Sequence, residues 1–191
     1  MMQTIRTFVA VDVPPALHKR VSDIIGLLKA ARADVKWVET GILHLTLKFL
    51  GDVPNVEIPD VCKVVARACE GVEPFALTLG GVGAFPDVAR ARTVWIGAHE
   101  GTDEMIAFQQ RIDEALHKLG FPPERRLFHP HLTIGRLRRG GPEQRELSRL
   151  IAEQADAPIG QIEIDEVTVY ASTLDRTGPS HDPLAHVELR P

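Results

Sequence analysis

Cysteine is scarce in this chain of 191 residues, which contains only Cys62 and Cys69. Both fall in one predicted helical segment, seven positions apart, and a helix rise of about 1.5 Å per residue separates them by roughly 10 Å. That separation is too long for a disulfide bond. We therefore expect two reduced cysteines that mainly fill space, in a protein that no disulfide stabilises.

Long hydrophobic runs are also missing. The short apolar run at positions 8–11 is interrupted by Asp12, and no small-residue cleavage site follows it, so it predicts neither a signal peptide nor a membrane span. With 44% hydrophobic and 25% charged residues, the chain can form the core of one domain, 1–191, with two small lobes. We expect a cytoplasmic monomer without a membrane partner.

The chain has no overall excess of positive charge. Its formal net charge of -4 argues against a general nucleic-acid coat protein, since such proteins are usually basic. Basic residues are nevertheless concentrated at positions 125–139, where no acidic residue occurs. They are Arg125, Arg126, Arg136, Arg138 and Arg139. This local charge favours an anionic substrate.

What the chain does contain is a repeated pattern of histidine, apolar residue, threonine and apolar residue, at positions 44–47 and again at 131–134. Side chains alternate between the two faces of a β-strand. Alternation predicts that His44, Thr46 and Lys48 share one face, and that Phe49 joins the leucines on the other. The second copy offers an imidazole and a hydroxyl in the same way.

This pattern indicates acid-base chemistry on a phosphate. Imidazole can act as acid or base near neutral pH, so one neutral histidine could take a proton from water while the other, protonated, gives one to the departing oxygen. The threonine hydroxyls could donate to the non-bridging oxygens. The scheme needs no metal and no cofactor. An alternative is a zinc ion bound by His44, His129 and His131.

The rest of the chain supports an internal duplication. Each half reads strand, helix, motif strand, helix, strand, and the two motifs are 131 − 44 = 87 positions apart. We predict lobe halves at 1–85 and 92–191, with the glycine-rich segment 80–91 as their boundary. The expected later strands include 161–171, read as one strand.

The motifs with their flanking residues resemble the 2H phosphoesterases, and among them the RNA 2′,3′-cyclic phosphodiesterases first described as 2′-5′ RNA ligases. The resemblance is carried by residues 6–12, 37–38, 44–51, 83–86, 94–95, 130–136 and 167–170. It implies an α/β (α+β) bilobal fold with two antiparallel sheets around a central cleft, the helices outside and the halves related by a pseudo-two-fold axis. It also implies hydrolysis of a terminal 2′,3′-cyclic phosphate to a 2′-phosphate.

The resemblance implies roles for the motif residues. His44 matches the proton donor to the 3′ oxygen, and His131 matches the proton acceptor from water. Thr46 and Thr133 match the phosphate-holding positions. Arg136 is similar to the arginine that follows the second motif in the family, but strict alternation places it on the apolar face, so a phosphate role requires the strand to end or bulge there.

Further candidates come from position and residue type. Lys48 is predicted to help bind the phosphate. Phe8, Phe85 and Tyr170 are candidates for stacking on a base, although aromatic residues in strands more often belong to the core. Expected partners are RNA ends or nucleotides with a 2′,3′-cyclic phosphate. Alternative functions are a 2H enzyme for small cyclic nucleotides and a non-catalytic module that binds RNA ends.

Overall fold

The computed structural model describes residues 3–174 and 179–191. Its elements follow the chain in this order: β1 (Thr4–Asp12), α1 (Pro15–Lys29), β2 (Val35–Trp37), β3 (His44–Pro54), α2 (Ile58–Cys69), β4 (Phe75–Phe85), β5 (Thr93–Ala98), α3 (Thr102–Lys118), β6 (His131–Leu137), α4 (Glu143–Glu153), β7 (Pro158–Ile164), β8 (Glu166–Leu174) and β9 (Pro179–Glu188).

The strands form two antiparallel sheets, with the orders β3-β1-β8-β9 and β2-β6-β5-β4-β7. The predicted α+β class with two antiparallel sheets is confirmed. Each helix buries one apolar stripe, such as Val21, Ile25 and Leu28 of α1, because apolar residues three or four positions apart share a helix face. In the described part of the chain, no helix has the length and apolar character needed to cross a membrane.

The two halves of the chain exchange strands. β4 belongs to the first half but pairs with β5, while β8 belongs to the second half and pairs with β1. The division into 1–85 and 92–191 therefore separates the two motifs, but each sheet contains strands from both halves. A complete sheet requires both halves to fold together.

One predicted strand was wrong, and part of the predicted lobe boundary lies in a strand. The expected strand 161–171 is two strands, β7 in one sheet and β8 in the other, because the chain crosses between the sheets at Asp165. The first half of the expected lobe boundary at 80–91 is the end of β4, which continues to Phe85. A glycine is needed there for packing, since a Cβ at Gly83 would lie 2.2 Å from the Trp95 ring.

A β-bulge at Leu47 reverses the alternation of β3. Val9 pairs with Lys48 while Ala10 pairs with Thr46, so Leu47 is the extra residue. After it, Lys48 is only 3% exposed and Phe49 is 60% exposed. The prediction of Lys48 on the polar face and Phe49 on the apolar face was therefore wrong.

A matching bulge occurs in β6. Val94 pairs with Gly135 while Trp95 pairs with Thr133, which leaves Ile134 as the extra residue. Gly135 is buried and Arg136 is exposed. This is the bulge that a phosphate role for Arg136 requires, because it turns the arginine to the face of Thr133.

The buried ammonium of Lys48 is neutralised inside the protein. It forms an ion pair with Asp113 of α3 and donates a hydrogen bond to the carbonyl oxygen of Pro122 at 2.7 Å. The predicted phosphate contact of Lys48 is therefore corrected. Lys48 joins β3 to α3 and to the loop that follows α3.

Replacing Asp113 by alanine should leave this buried ammonium without its counter-charge. We expect the free energy of unfolding to fall by about 3–5 kcal/mol, the usual cost of breaking a buried pair on one side, as measured by urea denaturation. The matched control is Asp60→Ala, which removes an exposed pair with Lys63 and should cost less than about 1 kcal/mol. Equal small losses in both variants would contradict a structural role for the Lys48 pair.

Candidate active site

The two motif strands approach each other across one cleft. Residues of β3 and β6 come within 8 Å, Cα to Cα, and the cavity between the sheets has a volume of about 640 Å³. Its lining includes His44 and Thr46 from the first motif and Thr133 and Arg136 from the second. His131 lies on the same face of β6 as Thr133, two residues before it, and is half-buried.

Each motif histidine is oriented by a hydrogen bond of the same type, from its ring to a backbone carbonyl oxygen. Nδ1 of His44 lies 2.9 Å from the carbonyl oxygen of Ile42, and Nδ1 of His131 lies 2.6 Å from that of His129. A carbonyl oxygen can only accept, so each Nδ1 carries the hydrogen and donates it. The Nε2 atom of each ring is therefore left as the one that can exchange a proton with a substrate.

Aromatic rings fix the orientation of both imidazoles. The ring centroid of Phe8 lies 4.9 Å from that of His44, and the Phe85 centroid lies 4.9 Å from that of His131. Phe8 borders the cavity, but it is only 2% exposed and Tyr170 stacks on it at 5.2 Å. Phe8 has no free face for a base, which corrects that prediction; base stacking by Phe85 and Tyr170 stays a prediction.

Burial is the main electrostatic influence on the two histidines. It lowers the pKa of both, because a charged imidazolium loses its hydration when it is buried. The bonded carbonyl oxygens oppose this shift. Neighbouring positive charge adds to it, from His181 at His44, from His129 at His131, and from Arg136 at both. Asp12 favours the charged form of His44 only. Both rings are therefore mostly neutral at pH 7 in the free protein, and His44 has a carboxylate nearby.

The structure adds residues that the sequence did not single out. His181 of β9 lies with its ring centroid 5.2 Å from that of His44 and 4.9 Å from that of Phe8. It stands outside the repeated motif, so no spacing signal pointed to it. Phe49 was visible in the first motif but was assigned to the wrong face, and Arg6 and Lys36 line the cavity without belonging to either motif.

The three histidines of the zinc alternative, His44, His129 and His131, do not form a metal-binding group. Within residues 3–174 and 179–191, no three His, Cys, Asp or Glu side chains are grouped to hold a metal ion. The rings of His129 and His131 stack with centroids 6.4 Å apart, and Nδ1 of His131 is already bonded to a carbonyl oxygen. The motif threonines, in contrast, share the cavity with His44.

Comparisons with known proteins identify similar sequences along most of the chain. A family model for the 2′-5′ RNA ligase superfamily matches residues 13–176. An RNA 2′,3′-cyclic phosphodiesterase of Methanothermobacter thermautotrophicus is 39% identical over 176 residues, which cover 92% of this chain and 94% of that protein. A protein of the same name from Thermotoga maritima is 35% identical over 174 residues, covering 91% of this chain and 90% of its own.

Solved structures share the fold. The crystal structure of TT0787 of Thermus thermophilus superimposes with a TM-score of 0.82 at 24% identity, over 97% of this chain and 98% of that one. E. coli LigT complexed with 3′-AMP gives a TM-score of 0.74 at 24% identity, with the same coverage. At this identity the two structures support the fold alone.

An NMR titration of the histidine ring signals should test the effect of burial. In the free protein we expect the pKa values of His44 and His131 to lie below the ordinary value of about 6.5, which the urea-unfolded protein should show. Inorganic phosphate should raise both values, because a bound anion favours the charged imidazolium. Values at or above those of the unfolded protein would contradict the assigned desolvation.

Proposed function

The chain belongs to the 2′-5′ RNA ligase superfamily, and we propose that it is an RNA 2′,3′-cyclic phosphodiesterase that hydrolyses a terminal cyclic phosphate to a 2′-phosphate. This membership confirms the resemblance to the 2H phosphoesterases. The proposal rests on one observation above all. Two histidines with equivalent Nδ1-to-carbonyl bonds, each followed by a threonine on the same strand face, lie on two strands that approach across one cleft.

In the proposed reaction, water attacks the phosphorus and the bond from phosphorus to the 3′ oxygen breaks. Nε2 of neutral His131 takes the proton of the attacking water, and protonated His44 gives a proton to the departing 3′ oxygen. The products are a 3′ hydroxyl and a 2′-phosphomonoester, so atoms and charge balance. The roles follow the family resemblance.

The electrostatic surroundings support this division of roles. Asp12 pairs with His44 across β1 and β3 and favours its charged form, against the opposing charges of His181 and Arg136. The charges near His131, from His129 and Arg136, both oppose protonation, and no carboxylate offsets them there. A general acid must be charged and a general base neutral before reaction. The anionic cyclic phosphate would further raise the pKa of His44 when it binds.

The phosphate itself is proposed to be held by Thr46, Thr133 and Arg136. The two hydroxyls would donate to its non-bridging oxygens, and the guanidinium would add charge-assisted hydrogen bonds. In the free protein the side chain of Arg136 has, among the residues that the structure describes, only a long contact of 3.5 Å from Nη1 to Oγ1 of Thr93, so donors remain for a phosphate. Lys48 takes no part, because Asp113 neutralises it.

Several finer statements stay predictions. We propose that residues 1–191 act as a single bilobal domain, since each sheet needs strands from both halves. A monomeric state, a cytoplasmic location and reversible 2′-5′ ligation are expected from the sequence and the family.

Turnover and product identity test the function directly. The purified protein should convert an oligonucleotide that ends in a 2′,3′-cyclic phosphate to a product with a 2′-phosphate, resolved from the 3′ isomer by chromatography. Binding without turnover would favour the RNA-end-binding alternative. Turnover of cyclic mononucleotides with no action on the oligonucleotide would favour an enzyme for small molecules.

The roles of the two histidines can be separated with a substrate whose 3′ leaving group needs no proton. Removing either imidazole should cost about 10²–10⁴ in rate on the natural substrate. The activated substrate should largely restore His44→Ala and leave His131→Ala inactive, as followed by release of the leaving group. Restoration of His131→Ala instead would reverse the roles, and restoration of neither would contradict the acid-base mechanism.

A further inference from the structure

The cavity beside the motif residues is larger and more positive than one phosphate requires. Besides the phosphate-holding groups, its lining includes Arg6, Lys36 and Phe49. Its formally charged lining residues are Arg6, Lys36, Arg136 and Glu39, so the local charge is +3 − 1 = +2, in a chain whose net charge is -4. Positive charge collected in a cleft attracts polyanions.

Phe49 presents an unusual surface within this cavity. Phe49 is 60% exposed, although large apolar side chains in strands are normally buried. One side of it packs near Phe8, with ring centroids 5.8 Å apart, which supports the ring from behind. The exposed face is an aromatic surface open to a ligand, and Phe49 lies three residues along β3 from Thr46.

Arg6 lies farther from the expected phosphate position than Phe49 does, in the same direction along β1 and β3. The register of β1 and β3 pairs Ala10 with Thr46, Phe8 with Phe49, and Arg6 with Asp52. Arg6 is thus four residues from the phosphate end, about 13 Å along the strand. It is exposed, and among the described residues it forms no ion pair, not even with the facing Asp52.

Lys36 provides a second unpaired cation on the opposite wall. It pairs with Arg136 across β2 and β6, is exposed, and likewise forms no ion pair within the described residues. These two cations approach one cavity from different sheets, and the charge of the cavity lining stays positive after its glutamate is counted. An anion in the cavity would compensate them.

We infer that this cavity is a subsite for the RNA chain that precedes the cyclic phosphate. Phe49 stacks on the terminal base, and Arg6, opposed by Lys36, binds the phosphodiester that links the terminal nucleotide to the one before it. In such an end the base branches from C1′ and the phosphodiester from C5′ of the ribose that carries the cyclic phosphate. Both groups therefore extend away from the phosphate, as Phe49 and Arg6 lie away from Thr46 along β3 and β1. This inference rests on the proposed function, and it names an oligonucleotide end, rather than a mononucleotide, as the preferred substrate.

The proposed subsite would bind RNA through the two interactions that proteins commonly use for single-stranded nucleic acids. Base stacking on an aromatic ring tolerates every base, and a phosphodiester contact depends on charge. The subsite should therefore select chain length with little selection of base. Its contribution should weaken as salt concentration rises, because added ions screen exposed charges.

The test compares kcat/KM for adenosine 2′,3′-cyclic phosphate and for the dinucleotide ApA with the same cyclic end. In the native protein the dinucleotide should be favoured by on the order of tenfold at low salt, and Arg6→Ala should remove most of this preference. Arg20→Ala is the matched control, since Arg20 is also exposed but lies on α1 outside the cavity, and it should leave the preference unchanged. Phe49→Leu should lower kcat/KM for both substrates about tenfold, because both carry a terminal base.

The outcomes separate this inference from the proposed function. Equal kcat/KM for the two substrates, or a dinucleotide preference that Arg6→Ala does not reduce, would overturn the subsite while leaving the hydrolase in place. A preference that is insensitive to salt would also overturn it. No turnover of either substrate would contradict the proposed function itself, and the subsite with it.

Discussion

The β-bulge in each motif strand determines which side chains reach the cleft. The extra residue, Leu47 in β3 or Ile134 in β6, directly follows the motif threonine. The fifth residue after each histidine, Phe49 or Arg136, therefore lies on the opposite strand face from this extra residue. Without the bulge, Phe49 and Arg136 would point into the core. A bulge costs one ladder pairing and increases local twist, and here it delivers an aromatic ring on one side of the cleft and a guanidinium on the other.

Each bulge also points one residue into the core, and the core must have room or a partner for that residue. In β6 the inward residue is Gly135, where a Cβ would lie 2.8 Å from the Trp37 ring. In β3 it is Lys48, whose ammonium reaches Asp113. A buried lysine is tolerated because a carboxylate and a carbonyl oxygen replace its hydration. The position of α3 is thus coupled to the geometry of the first motif.

The sequence predicted the parts of this protein that depend on residue type and spacing. Apolar periodicity located the helices, and the repeat identified His44, Thr46, His131 and Thr133 as the residues that carry chemistry. Alternation failed just past each threonine, because a bulge arises from pairing with a neighbouring strand and leaves no local signal. His181 and Arg6 reach the cleft through sheet pairing between distant segments, which spacing along the chain cannot reveal. The break at Asp165 was missed for the same reason. Only this one residue separates β7 from β8, and what distinguishes the two strands is that they belong to different sheets.

Duplication supplies two similar motifs, but the reaction needs two different imidazoles. Scaffold geometry is shared, because each Nδ1 donates to the carbonyl oxygen two residues before it. The difference comes from the neighbours: Asp12 of β1 pairs with His44, whereas Gly97 of β5 occupies the corresponding place beside His131. The Asp12 carboxylate favours the charged form of His44 against the opposing charges of His181 and Arg136, and His131 has no such carboxylate beside it. Under the proposed mechanism, the negative charge of the bound cyclic phosphate adds to that of Asp12, and the two together favour the protonated form of His44, so that similar motifs can take different roles.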